Sequence, residues 1–469
     1  MAKPDTRRNF LKNVGCGIVA APLLASLNSF TAIADETAIV PQSVTLQPKI
    51  ILNVRDMGAT GDGQIKDTIA IQQCIDRCSI LGGGEVVFPK GNYLTGAIQL
   101  RSNVTLNLAE EAIITGTPDF ADYPVTQVRW EGKWIQGYLA LIYAIDARNI
   151  GIKGKGKIMG NHALSGRPSA ENPLRHPALI EPIDCSNISF EGFSTDYHSM
   201  WSIHLTFCDT VSIKNLTIRS TGGNGDGIDV DSCKHVMIDN CDIATGDDCI
   251  SLKSGRGMEG YTLLRTTEDI SITNCTFADS IFACIGIGSE TSGGIRNVRI
   301  ENCKFMAAKT FAIYIKSNVG RGAFIENITA NNLDVSNTDG GFLRFNITGS
   351  GLQDQVPVPG EEGITTTKNF KFTNVRVNNV PVLVDGAGIH PHKPLDGFVL
   401  SDISGTCGKG VFIANIKNAV IKNIKVTGFS GSLLNIDNVN GSGLEGAATL
   451  TPQKYKDPIP QPATPYQLK

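Results

Sequence analysis

The chain has 469 residues, a formal net charge of -3, 41% hydrophobic and 19% charged residues. That is enough for a sizeable core, and no Lys/Arg cluster offers a nucleic-acid face. Fifty glycines, frequent Asn-Gly and Gly-Asp punctuation and few long amphipathic patterns point to a turn-rich β protein.

Residues 1–34 have the pattern of an export leader. Arg7-Arg8 opens a twin-arginine motif, an apolar run extends from Val14 to Leu27, and Ala32-Ile33-Ala34 offers a small-residue cleavage site. Export to the periplasm or the extracellular space is expected. Cys16 precedes the apolar run, so a lipid anchor is not indicated, and no later run is apolar enough to span a membrane. Residues 35–49 are assigned as a linker. Twelve cysteines become an odd number once Cys16 is removed, which argues against a complete disulfide framework.

An entry module is expected over Ile50–Leu108. Asp67 or Thr68 can cap a short helix through Ser79, with Ile71, Ile75 and Cys78 on one face. This helix is expected to plug the open end of a repeat-built body.

The repeat itself is plain in the sequence. The segments Val211–Ile218, Val236–Ile243, Ile270–Phe277 and Val298–Phe305 alternate apolar and polar residues, with Asn at one fixed position. Asn215, Asn240, Asn274, Asn302 and Asn327 are spaced 25 to 34 residues apart and are expected to stack as one ladder. Cys241, Cys275 and Cys303 recur just after Asn, fitting a buried stack of small hydrophobes. Strands at this spacing with no helices between them indicate an all-β parallel solenoid. The catalytic domain is placed at 50–440, and residues 441–469, with five prolines, are read as an extended tail.

Within the repeat lie Asn224-Gly225-Asp226-Gly227-Ile228-Asp229 and, one coil later, Gly246-Asp247-Asp248. Three carboxylates from neighbouring coils would crowd one patch and raise one another's pKa. A proton donor beside an acceptor is what glycosidic hydrolysis needs, and a diagonal pair across coils could approach the separation of roughly 6.5–9.5 Å that favours inversion. Turn capping and calcium binding are the alternatives for the same residues. Lys253, Arg256 and Arg321 could bind carboxylates of a ligand or be solvated surface charges. Trp201, His198, His204 and Glu290 could line a subsite or pack in the core.

These motifs resemble the first two signatures of the polygalacturonases, glycoside hydrolase family 28. The resemblance implies a right-handed parallel β-helix that hydrolyses pectic polymers with inversion and needs no metal or other cofactor. Carried over by motif, it makes Asp247 the general acid, Asp226 and Asp248 the pair activating water, and Asp229 a supporting residue. The chain departs from the family where Ala283 stands in place of His, and where Tyr314-Ile315-Lys316 stands in place of Arg-Ile-Lys. Lys316, Tyr314 and Arg256 are the expected substrate-binding residues, and the loss of the Arg fork points toward a rhamnogalacturonan-type linkage or exo attack. A monomer acting on pectic polysaccharide, without nucleic-acid or membrane partners, is expected. A calcium-dependent pectate lyase of the same fold and a non-catalytic glycan-binding β-helix remain the alternatives.

Overall fold

The computed structural model describes residues 50–467, apart from 199 and 221. The segments expected to be a leader and a linker, with Cys16, lie outside the described residues.

The alternating segments form strands that pair in parallel, coil upon coil, into one continuous wound sheet. Val211, Val236, Ile270, Val298, Ile328, Phe370 and Phe398 stand in register, and so do Ile213, Ile238, Ile272, Ile300, Ala330, Phe372 and Leu400. All of them are buried. Burying each large aliphatic or aromatic side chain contributes about 1.5–3 kcal/mol, and stacking like on like lets every coil bury its apolar face against the next. The winding is that of a right-handed parallel β-helix, the hand that parallel crossovers almost always take.

Asparagine turns the corners. Asn215, Asn240, Asn274 and Asn302 all have φ between 50° and 56°, a left-handed conformation that Asn tolerates better than most residues. Asn240 donates to Asn215 at 2.8 Å and Asn302 to Asn274 at 3.4 Å. Asn274 breaks the run by donating to Asp239 Oδ1 at 2.7 Å. Asn327 is not in this ladder. Asn332 donates to Asn302 at 2.8 Å, while Asn327 belongs to a second ladder with Asn297 and Asn369. The coils of Asn302 and Asn332 each carry a second left-handed Asn five positions earlier, Asn297 and Asn327, so even spacing along the sequence points to the wrong one.

The entry helix spans Thr68–Ile80 and buries Ile71, Cys74, Ile75 and Cys78. Asp67 precedes it but does not cap it. Its carboxylate turns back to accept from the backbone N–H groups of Thr60 and Gly61. The eleven cysteines of the described residues are all free and buried. After Ser442 the chain adds only the short strand Ala448–Thr449 among the described residues. Residues of the tail return to the coils: Ile459 bridges Gly360, and Lys456 donates to Asn318 at 2.9 Å.

The site rests on one face of the helix, where the strands Ile228–Asp231, Ile250–Lys253, Ile285–Ile287, Phe311–Lys316 and Gly341–Asn346 stack. Ile228, Ile250, Ile285, Ile313 and Leu343 point into the core. Strand alternation then sends Asp229, Ser251, Gly286, Tyr314 and Arg344 outward as a single column.

Candidate active site

Asp226, Asp247 and Asp248 converge at the entrances to two adjacent strands of that face. One carboxylate oxygen from each lies within 4.8 Å of the others. At their nearest oxygens the groups therefore stand closer than the wide gap expected from the sequence. The chain bends at Gly246 and at Gly227, so both aspartates of the 247–248 pair reach the same cleft.

Each carboxylate has its own surroundings. Asp248 Oδ2 accepts from Lys316 Nζ at 2.8 Å, and its Oδ1 accepts from the backbone N–H of Ala283 at 3.1 Å. Ala283 thus contributes to the site through its backbone amide and not through its side chain. Ser251 Oγ lies 3.1 Å from Asp226 Oδ2 and 2.9 Å from Asp248 Oδ2, so its one proton serves either carboxylate. Asp247 is the most exposed of the three, and its Oδ2 accepts from Arg167 at 3.2 Å.

Burial, and then the charges of Asp229 and Asp248, push Asp226 well above the usual carboxylate range, against the pull of Lys253. Burial and the neighbouring Asp226 and Asp248 push Asp247 up to about 7. A half-buried acid holding its proton near neutrality, beside carboxylates clamped by ammonium groups, is a donor–acceptor arrangement. The same three oxygens could face a hard cation, but Lys316 and Lys253 already bring positive charge against them.

Asp229 lies beneath the cleft, fully buried, as an ion pair 3.0 Å from Lys253. Burial lifts it to about 7 despite that partner. It does not line the cleft. The cleft has a volume of about 390 Å³, with Trp201 and Phe282 on its walls. Lys253 sits 5.0 Å from the Trp201 ring and Lys316 4.4 Å from the Phe282 ring. Glu290 does line the cleft, and although burial opposes it, the charges of Lys253, Arg321 and Arg256 hold it ionised down to about 2. Tyr314 is nearly buried beside Phe282 and Phe311 and does not line the cleft. His204 is taken up by Glu181 at 2.7 Å, and His198 by the carbonyl of Met200 at 2.7 Å.

One side of the cleft is a wall tied together by charge. The antiparallel hairpin Val125–Trp130/Lys133–Tyr138 turns at Glu131-Gly132, both with positive φ. A Cβ on Gly132 would lie 2.9 Å from the backbone of Gly255, so only glycine lets the tip pack there. Arg256 lines the cleft but is occupied by Asp354 at 2.6 Å and Glu131 at 3.0 Å. Arg321 is buried behind it, 2.7 Å from Asp354 and donating to the carbonyls of Ser289 and Leu352. Glu131, Arg167 and Asp354 carry no motif, and the sequence alone does not single them out. They sit in loops with no periodicity to mark them.

Residues 78–390 match the family described as Glycosyl hydrolases family 28. The chain belongs to that family. It is 27% identical over 362 residues to a probable polygalacturonase of Vitis vinifera, covering 74% of this chain and 73% of that protein. It is 28% identical over 330 residues to the exo-poly-alpha-D-galacturonosidase of Dickeya chrysanthemi, covering 57% and 52%. Among solved structures, the hyperthermoactive exopolygalacturonase from Thermotoga maritima superposes with a TM-score of 0.70 at 26% identity, covering 81% of this chain and 92% of that one. This member of glycosyl hydrolases family 28 is a polygalacturonase-like glycoside hydrolase.

Proposed function

We propose that the protein is an exported, exo-acting hydrolase that removes sugar from the end of a galacturonan- or rhamnogalacturonan-type pectic chain with inversion. Asp247 protonates the leaving oxygen. Asp226 and Asp248 hold and deprotonate the attacking water. The observation that carries this assignment is the unequal treatment of three converging carboxylates: Asp248 is clamped by Lys316 and an amide, Asp226 is buried beside Lys253, and Asp247 alone is partly exposed to the cleft while lifted to about 7. Exo attack is supported by the size and wall of the cleft. Its volume is near the lower end of roughly 300–1,000 Å³ typical of small-ligand sites, and the hairpin tip and the Gly351–Leu352 segment bound it. The names of two relatives, an exo-galacturonosidase and an exopolygalacturonase, agree.

Product analysis tests this. The mature protein is incubated with chelator on homogalacturonan and rhamnogalacturonan, and the products are followed by NMR. Saturated short products whose first-formed anomer is inverted are expected. Unsaturated ends, or turnover only after calcium is restored, would overturn it.

A further inference from the structure

Among the described residues, four cations line the cleft: Arg167, Lys253, Arg256 and Lys316. Three of them are sealed. The side chains of Lys253, Arg256 and Lys316 keep only 8%, 8% and 11% of their exposure, and their partners Asp229, Asp354 and Asp248 keep 0%, 0% and 3%. Pulling Lys253 or Lys316 away would strand a buried carboxylate, which is strongly unfavourable, and Arg256 is held by Glu131 as well as by Asp354. Arg167 differs. Its side chain is 55% exposed, and it reaches the cleft from a loop 80 residues before Asp247. Among the described residues its guanidinium makes a single hydrogen bond, 3.2 Å to Asp247 Oδ2. An exposed pair of that kind is held by little in water. The rest of its guanidinium fork is free to pair with a second carboxylate in bidentate fashion.

On the reading of the site as a pectic hydrolase, we infer that Arg167 recognises the carboxylate of a uronic acid unit in the cleft, and that it does so by moving off Asp247 onto the substrate. The exchange couples recognition to chemistry. Asp247 is left facing Asp226 and Asp248, with Lys316 and Lys253 as the opposing charges and the Asp248 backbone N–H on its Oδ1. Loss of a positive neighbour raises its affinity for a proton, which it takes from solvent. A substrate bearing a free carboxylate thereby loads the acid, and a neutral one does not. This also answers the loss of the fork at position 314: the free guanidinium comes from a loop instead of from the strand.

The test compares wild type with Arg167→Gln and Arg167→Lys on oligogalacturonides and rhamnogalacturonan oligosaccharides, each as free acid and as carboxyl methyl ester. Turnover is measured as kcat/KM, and affinity is measured by calorimetry in an Asp226→Asn background so that nothing is consumed. Wild type is expected to prefer the free acid. R167Q is expected to lose roughly ten- to a hundredfold on the free acid and little on the ester, with R167K partly rescuing. An equal loss on both forms, or a free-acid preference undiminished in R167Q, would overturn the proposal. If wild type cleaves neither form, the hydrolase assignment falls, and the binding preference still decides the role of Arg167.

Discussion

The ammonium of Lys316 donates to Oδ2 of Asp248 at 2.8 Å, reaching back across two coils of the helix. It faces Asp226 and Asp247 as well and lowers the proton affinity of both, although burial dominates each of them. Lys316→Met is therefore expected to cut kcat roughly ten- to a hundredfold, the worth of a lost charge-assisted hydrogen bond. It should also move the basic limb of the kcat/KM profile to higher pH, because Asp247 keeps its proton longer. A pH profile from about 4 to 9 checks this, and an unmoved basic limb would separate Lys316 from the acid.

Gly286 is the floor beneath this pair. A Cβ there would stand 2.4 Å from Asp248 Oδ2 and 3.0 Å from its Cγ. Gly286→Ala must push the carboxylate out of place while the strand, with its core neighbours Ile285 and Ile287, stays packed. Displacement by about 1 Å costs on the order of a hundredfold in rate. We expect kcat to fall by that much with an unchanged circular dichroism spectrum and a melting temperature within a few degrees of wild type. Full activity in G286A would show that the position of Asp248 is not critical.

Asp247, the proposed acid, is expected to affect both rate and stability. Asp247→Asn removes the proposed acid, so kcat should drop about 10²- to 10⁴-fold. Its carboxyl is lifted from 3.8 to about 7 in the folded chain. Between those values the folded state holds a proton that the unfolded state has released, so stability falls as pH rises from about 4 to 7. The penalty above pH 7 is at most about 4 kcal/mol, at 1.36 kcal/mol per unit. D247N should therefore be more stable than wild type at about pH 8, with the difference closing toward about pH 4. Denaturant titrations at both pH values measure it, and a D247N protein equally destabilised at each would contradict the lifted carboxyl.

The sequence displays most clearly the features that are local and periodic. Alternation exposed the strands, and the aspartate motifs lie on consecutive coils, so one coil of spacing put Asp226 beside Asp247 and Asp248. The helix Thr68–Ile80 was legible from Ile71, Ile75 and Cys78, but not the fate of Asp67, whose carboxylate found unpaired amides at Thr60 and Gly61 instead. Asn327 was misplaced because Asn occupies both corners of the same strand segment. Arg167, Glu131 and Asp354 were invisible because tertiary packing of loops, and no repeat, brings them to the cleft. Arg256 looked available for substrate on charge alone; its partners Glu131 and Asp354 lie 125 and 98 residues away in sequence.

Asp354 is the residue on which the wall depends. It is fully buried, accepts from Arg256 at 2.6 Å, lies 2.7 Å from Arg321, and has Lys133 of the hairpin at 3.5 Å. Three elements distant in sequence meet on this one carboxylate of the loop carrying Leu352: the hairpin with Lys133, the turn after Lys253 with Arg256, and the turn after Lys316 with Arg321. Asp354→Ala leaves two buried guanidinium groups facing each other without their shared counter-charge. Breaking a buried pair this way costs about 3–5 kcal/mol. The variant is expected to unfold at lower denaturant concentration and to expose the 350–356 segment to protease before the coils. Limited proteolysis with mass spectrometry reads the second effect directly. Cleavage no faster than in wild type, at an unchanged denaturation midpoint, would mean that the wall is held by its backbone contacts and that Asp354 is dispensable to it.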